Sequence, residues 1–335
     1  MTITNTEHFG IQRKIVANMT TESWQNIPHA AFMYEADVTD FMEAYNQLNA
    51  SRKNAPKITI NTILLKVLCE GLKAAPAMNA HIHYNGRFVK GRIDTVKEIN
   101  ISMPMILPNG EMMTINLRDF GSKTLEEMTA YIADVQKRLE KTNLTEAMYS
   151  VSLDNTIQGL KKGKILQTVF RISGARLGKH KISTLGGKEK RTYESIPEHH
   201  RITKKDIEPG TVTISNLGSI YKGQRGFATL LEIIPPQVSA FGIGSIQERP
   251  CVVHDEFGGK DIAIRKILPI CIAFDHRALD FGDIVPLLKR LDAIFDKPAE
   301  IYDWCETKDR GLHEVPHKAR FAAEQSSSKK KNVIF

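Results

Sequence analysis

What the chain lacks narrows its class first. No apolar run approaches the ~20 residues of a membrane helix. The first ten residues carry Glu7 and polar side chains, without the basic start and apolar centre of a signal peptide. Both absences point to the cytoplasm. Cysteine is scarce: Cys69, Cys251, Cys271 and Cys305 are far apart, with no CxxC pair and no zinc-type spacing, so no metal centre is expected. Cys69 and Cys271 lie inside apolar runs and read as small buried hydrophobes. Cys271, five residues before His276, is the one thiol with a base close by in sequence. There is no internal repeat, no RNA-recognition or zinc-finger pattern, and no aromatic interleaving of the basic stretches. Nucleic acid is therefore a disfavoured partner.

Lysine and arginine (46) outnumber aspartate and glutamate (38), a net charge of +8, which suits a partner bearing phosphates or carboxylates. Much of the excess lies in residues 161–205 and in the tail at 326–331. Periodicity predicts an α/β chain. Helices are expected over residues 13–24, 39–51 (capped at Thr39-Asp40), 59–75 (apolar on nearly all sides), 125–139 (capped by Ser122) and 283–295. Strands are expected over 31–38, 81–84, 88–90 after an Asn85-Gly86 turn, 99–103, 112–117, 211–215, 239–243, 251–253 and 266–274. Residues 145–205 read as a long surface excursion, with helix at 155–171 and a basic, glycine-rich stretch at 174–191. Residues 1–10 read as an N-terminal extension and 11–300 as one catalytic domain holding that excursion. Residues 301–335 read as a C-terminal extension whose last residues are disordered.

Two segments carry chemistry. The apolar strand before Asp275-His276-Arg277 delivers His276 at its mouth, where a rigid scaffold would hold a base. Asp280 follows four residues on, and Gly282 permits a tight turn. Upstream, Thr213-Ile214-Ser215-Asn216-Leu217-Gly218 ends a strand with short donors, Ser215 and Asn216, suited to a developing oxyanion.

Together, His276-x-x-x-Asp280 after an apolar strand and this Ser215 block resemble the catalytic domain of the 2-oxoacid dehydrogenase E2 acyltransferases. Ser23-Trp24-Gln25-Asn26-Ile27-Pro28-His29, Glu35-Ala36-Asp37-Val38-Thr39, Asn79-Ala80, Pro108-Asn109-Gly110 and Ile234-Pro235-Pro236-Gln237 fall in family order. The resemblance implies the chloramphenicol acetyltransferase-like fold, a two-layer sandwich of a mixed β-sheet with helices packed on it. It implies a homotrimer whose active site lies between subunits, with His276 as general base, Ser215 as oxyanion donor and Asp280 as a structural partner of Arg13. Asn216 and Gly282 support them. Coenzyme A or its acyl thioester is the implied substrate, with no metal.

Departures are informative. Phe281 separates Asp280 from Gly282, where the family reads Asp-Gly, which puts the turn geometry in question. The family's Gly-Leu-Val-Val-Pro-Val is here Gly110-Glu111-Met112-Met113-Thr114-Ile115, so a differently lined acceptor channel is expected. No lipoyl domain precedes the catalytic segment, so a lipoyl group is expected in trans, from a lipoyl-domain protein. The 37 residues after Pro298 favour a free trimer over a large core. His199-His200 lacks an aspartate four residues on, and Lys222-Gly223-Gln224-Arg225-Gly226 lacks phosphate-loop spacing. Asp37, Asp40 and Glu43 need only the helix dipole to explain them. Two other readings stand beside the acyltransferase: an idle trimeric scaffold of the same fold, and a small-molecule O- or N-acyltransferase.

Overall fold

The protein was described from a computed structural model, covering residues 2–53, 55–106, 112–149, 184–254 and 257–306. The expected 155–171 helix, the Pro108-Asn109-Gly110 turn and the 326–335 tail lie outside the described residues. The helices are α1 (Ile11–Asn26), α2 (Thr39–Ser51), α3 (Ile60–Ala74), α4 (Leu125–Glu140), α5 (Gly187–Glu194), α6 (Lys204–Ile207), α7 (Leu217–Ile220) and α8 (Phe281–Asp296). The strands are β1 (His29–Asp37), β2 (Ala80–Asn85), β3 (Lys90–Thr95), β4 (Ile101–Ile106), β5 (Met112–Leu117), β6 (Val212–Asn216), β7 (Ser239–Ile243), β8 (Gln247–His254) and β9 (Lys260–Asp275). No described helix is long and apolar enough to cross a membrane.

A seven-stranded sheet runs β1-β9-β7-β6-β4-β5, with β8 paired to the first half of β9, while β2 and β3 form a separate hairpin. The sheet is mixed: β4, β6 and β7 are mutually parallel, and the other pairs antiparallel. Helices cover one face. Ile63, Leu65, Leu68 and Leu72 of α3 meet Ile284, Leu287, Leu291 and Ile294 of α8 in one core with Ile214, Phe241, Leu268 and Ile272 of the sheet. Because α3 is apolar on nearly all sides it is largely sealed from solvent, as expected of such a helix. Burial pushes the Cys69 thiol up to about 12, so it behaves as a small hydrophobe. On the opposite face the sheet carries small residues, Ala240, Gly242 and Ala273, under Leu230, Leu231 and Ile233. A Cβ at Gly242 would meet the Leu231 side chain at 2.7 Å, so a larger residue would lift that cover.

Local chemistry corrects several sequence readings. The cap of α4 is Thr124, whose hydroxyl accepts from Glu127 N–H while the Glu127 carboxylate accepts from Thr124 N–H, a capping box. Ser122 instead bonds Asp119. Thr39 is the first residue of α2, not its cap; its hydroxyl and N–H both donate to Asp37. The strand expected at 88–90 begins only at Lys90, because the Asn85 side chain accepts from Arg87 N–H and curls the chain outward. The basic, glycine-rich stretch ends in a helix, Gly187–Glu194, that runs past Arg191. The folded body continues beyond residue 300: Ile301, Trp304 and Cys305 are buried, and Arg290 holds Glu300.

Candidate active site

The site starts from where β9 ends. Its apolar second half, Ile267 to Phe274, lies between β1 on one edge and β7 on the other. The chain then leaves the sheet in a turn in which Ala278 and Leu279 N–H both bond the Asp275 carbonyl. His276 heads that turn, its N–H bonded to the Pro28 carbonyl at 3.0 Å. Its ring is half exposed, with Nδ1 3.4 Å from Asp280 Oδ1. Both side chains meet solvent, so the pair adds little stability, and its effect is to orient the ring and leave Nε2 free.

Asp275 and Arg277 flank the histidine and carry more of the architecture. Asp275 is fully buried, and Arg277 binds it through Nε at 3.0 Å and Nη2 at 2.6 Å, with Arg277 N–H adding a bond at 2.9 Å. The Asp275 N–H bonds the Val238 carbonyl, and the Arg277 guanidinium lies 5.5 Å from the Tyr84 ring centroid. A buried carboxylate so held fixes the turn on both sides of His276. The charges flanking His276 were legible in the sequence as support for a base there, but not that Arg277 and Asp275 pair with each other.

Asp280 is the residue before α8, and its N–H bonds the Asp283 carboxylate at 2.8 Å. Phe281 becomes the first helical residue and packs edge-on against Phe32, with centroids 5.3 Å apart. The turn therefore absorbs Phe281 without displacing Asp280 from His276. Gly282 sits in open space, and its φ is not positive, so nothing in the turn requires glycine there. Arg13, exposed on α1, makes no ion pair with Asp280, whose partner is His276. Within one chain that expected pairing is absent.

Ser215 lies near the end of β6, half-buried, and its hydroxyl has no hydrogen-bond partner among the described residues. Thr213 shares its strand face, and the Thr213 hydroxyl donates to Gln237 Oε1 at 2.6 Å. Gln237 is fully buried and donates to Ser102 Oγ and to the Gly210 carbonyl, which also receives His81 Nε2. This hub fastens the entry of β6 to β4. At the exit, Asn216 donates to Asn61 at 2.9 Å and caps α7 by accepting from Ser219 N–H. A Cβ at Gly218 would come within 2.4 Å of the Gly244 carbonyl, so the turn after Ser215 tolerates only glycine.

Register sets the distance between the two groups. Ser215 pairs with Gly242, and Gly242 with Cys271, so Ser215 is two strands across from Cys271 and His276 is five residues farther along. At about 3.3 Å per residue and 4.8 Å per strand, they stand roughly 19 Å apart in one chain. No single chain brings them onto one carbonyl. Cys271 is buried, and burial pushes its thiol up to about 11, which removes it as a nucleophile. His199 and His200 are exposed and far from β9 in sequence, as expected of a solvent-facing pair. Among the described residues no cluster of histidine, cysteine and carboxylates could hold a metal ion.

Comparisons with known proteins bear on the family and the fold. The family model of the 2-oxoacid dehydrogenases acyltransferase (catalytic domain) matches residues 2–152 and 182–302, breaking only inside the excursion. The dihydrolipoyllysine-residue acetyltransferase component of the Haemophilus influenzae pyruvate dehydrogenase complex is 24% identical over 81% of this chain and 36% of that protein. The corresponding component of the Bacillus subtilis acetoin cleaving system is 23% identical over 86% of this chain and 54% of its own length. The chain thus spans about half or less of these relatives. Among solved structures, a probable dihydrolipoamide acetyltransferase from Listeria monocytogenes superposes with TM-score 0.58 at 20% identity, covering 88% of this chain and 94% of that one. The dihydrolipoamide acetyltransferase of Azotobacter vinelandii gives the same score and identity over 89% and 93%. The fold is that of these catalytic cores, and with the family model matched over most of its length the chain belongs to the 2-oxoacid dehydrogenase acyltransferase (catalytic domain) family.

Proposed function

We propose that this protein is a CoA-dependent acyltransferase that moves an acyl group between acyl-CoA and a thiol, by default a dihydrolipoyl group carried by another chain. His276 Nε2 takes the proton of the attacking thiol, and the thiolate adds to the thioester carbonyl. The oxyanion that forms receives the Ser215 hydroxyl. Collapse of the tetrahedral adduct expels the thiolate of the leaving thiol, which recovers the proton from the imidazolium. Asp280 at Nδ1 orients the ring, and the Asp275–Arg277 pair holds the turn that aims it. Asn216 supports the turn that follows Ser215.

The observation that carries this reading is the pairing of an oriented, half-exposed His276 with an unpartnered Ser215 hydroxyl roughly 19 Å away on the same sheet. Such a pair works only when His276 of one protomer meets Ser215 of another, which supports a homotrimer with a site in each interface. Four free cysteines, three of them buried, suit the reducing cytoplasm. The test is mass-spectrometric detection of acyl transfer from short-chain acyl-CoAs to dihydrolipoamide, beside the His276→Ala variant. Transfer lost in the variant supports the proposal. Transfer undiminished in the variant, or absent from the folded wild-type oligomer, overturns it.

A further inference from the structure

The stretch Ser23-Trp24-Gln25-Asn26-Ile27-Pro28-His29 takes no part in the chemistry above, yet it ends beside the base. α1 closes with Ile27 N–H on the Ser23 carbonyl at 2.9 Å, Pro28 follows, and His29 opens β1 opposite Asp275. Pro28 is the residue whose carbonyl receives the His276 N–H at 3.0 Å. A proline ring fixes its own φ, so the direction of that carbonyl rests on the one torsion left, ψ.

The half-buried His29 ring reaches back across Pro28. Nδ1 lies 2.8 Å from the Ile27 carbonyl, while Nε2 lies 3.1 Å from the Ile233 backbone nitrogen and 3.2 Å from Ser23 Oγ. A backbone N–H only donates, so Nε2 is the acceptor, and the ring proton sits on Nδ1 and donates to Ile27. Ser23 Oγ donates to the Ile233 carbonyl at 2.8 Å, so both backbone groups of Ile233 are held. Ser23 and Ile233 are fully buried. Trp24 stacks on the imidazole with centroids 5.0 Å apart and 25° between planes. The two ring nitrogens thus tie two separate segments: Nδ1 the approach to Pro28, and Nε2 the cover that packs Ile233 on Ala240 and Ala273 of the sheet.

Resting on the acyl-transfer reading above, we propose that His29 is a positioning residue for His276. Neutral, with its proton on Nδ1, the ring closes on the Ile27 carbonyl and sets Pro28, whose carbonyl then aims the His276 N–H. It needs no contact with substrate. Its Nε2 end serves the sheet cover and stability, and its Nδ1 end serves the base. A reacting group misplaced by ~1 Å loses as much as ~10²-fold in rate, so a small shift at Pro28 is enough to register.

The experiment compares wild type with His29→Ala, His29→Asn and His29→Gln. It measures kcat and KM for short-chain acyl-CoAs with dihydrolipoamide as acceptor, and the thermal midpoint of each protein. An asparagine amide nitrogen stands where Nδ1 does and donates to Ile27. A glutamine oxygen stands where Nε2 does and accepts from Ile233. His29→Ala is expected to lower kcat by about 10–10²-fold with KM for acyl-CoA unchanged, and to lower the midpoint. His29→Asn should recover most of the kcat but not the midpoint, and His29→Gln the midpoint but not the kcat. A role confined to folding predicts kcat that follows the midpoint through the series, and that outcome overturns the proposal. Wild-type kcat in His29→Ala overturns it as well. If His29→Ala does not fold, equal kcat in the asparagine and glutamine variants overturns it. In each of those outcomes the wild type still transfers acyl groups, so the acyl-transfer reading stands. A folded wild type that transfers nothing removes that reading and this proposal together.

Discussion

Arg277 reaches back across His276 and grips Asp275, with Nη2 at 2.6 Å from a carboxylate that has no solvent exposure. Removing the guanidinium would leave a buried charge with no counter-ion. Arg277→Ala is therefore expected to cost roughly 3–5 kcal/mol in urea unfolding. A cost within about 0.5 kcal/mol, typical of surface positions, would show that the pair does not hold the turn.

His276→Ala is expected to lower acyl transfer by ~10²–10⁴-fold, the usual contribution of a general base. The half-exposed ring contributes little packing, so the variant should keep its oligomeric state and melting temperature. Turnover measured on variant and wild type in parallel checks both parts.

Ser215→Ala should lower kcat by about 10²–10³-fold. If His276 and Ser215 come from different protomers, co-assembled His276→Ala and Ser215→Ala chains regain activity, because each mixed trimer contains an interface with both groups intact. A mixture no more active than its parents would place both groups in one chain, against the roughly 19 Å that the register separates them.

Gln237→Leu would strip partners from the Ser102 and Thr213 hydroxyls and from the Gly210 carbonyl, at the entry to the strand that bears Ser215. A loss of about 1–3 kcal/mol is expected for buried polar groups left unsatisfied. Thermal unfolding measures it, and an unchanged midpoint would mean the hub is dispensable.

Glu70 gives the pH dependence. Burial opposes its charged form, but the Lys73 hydrogen bond and the charge of Lys66 outweigh burial and hold the carboxyl below the usual glutamate range. A depressed folded-state pKa stabilises above the unfolded value, about 4.3. That stability is lost as pH falls through the lower folded value. Wild type should thus exceed Glu70→Gln in urea midpoint at neutral pH, with the gap closing as pH falls below the unfolded value. A gap independent of pH would contradict the assignment.

The sequence by itself determined the elements whose pattern is local. The stretch of α3, apolar on nearly all sides, had to be a buried helix, the run before Asp275 had to be an interior strand, and that strand had to present His276 at its mouth. Ser215 was legible the same way, from short polar residues at the end of β6. The outer half of β9 was not, because Ile262 and Ile264 with their partners Val252 and Pro250 form an arm paired to β8, with no buried face to impose alternation. The caps of α2 and α4 also escaped, since Ser122, Thr124 and Thr39 are equally good candidates until backbone geometry chooses. Only the tertiary structure decided that Arg277 closes on Asp275, that Asp280 faces His276 and not Arg13, and that β7 stands between β6 and β9. Strand order and buried ion pairs arise from burial of surfaces distant in sequence, and periodicity along one chain carries no record of which surfaces will meet.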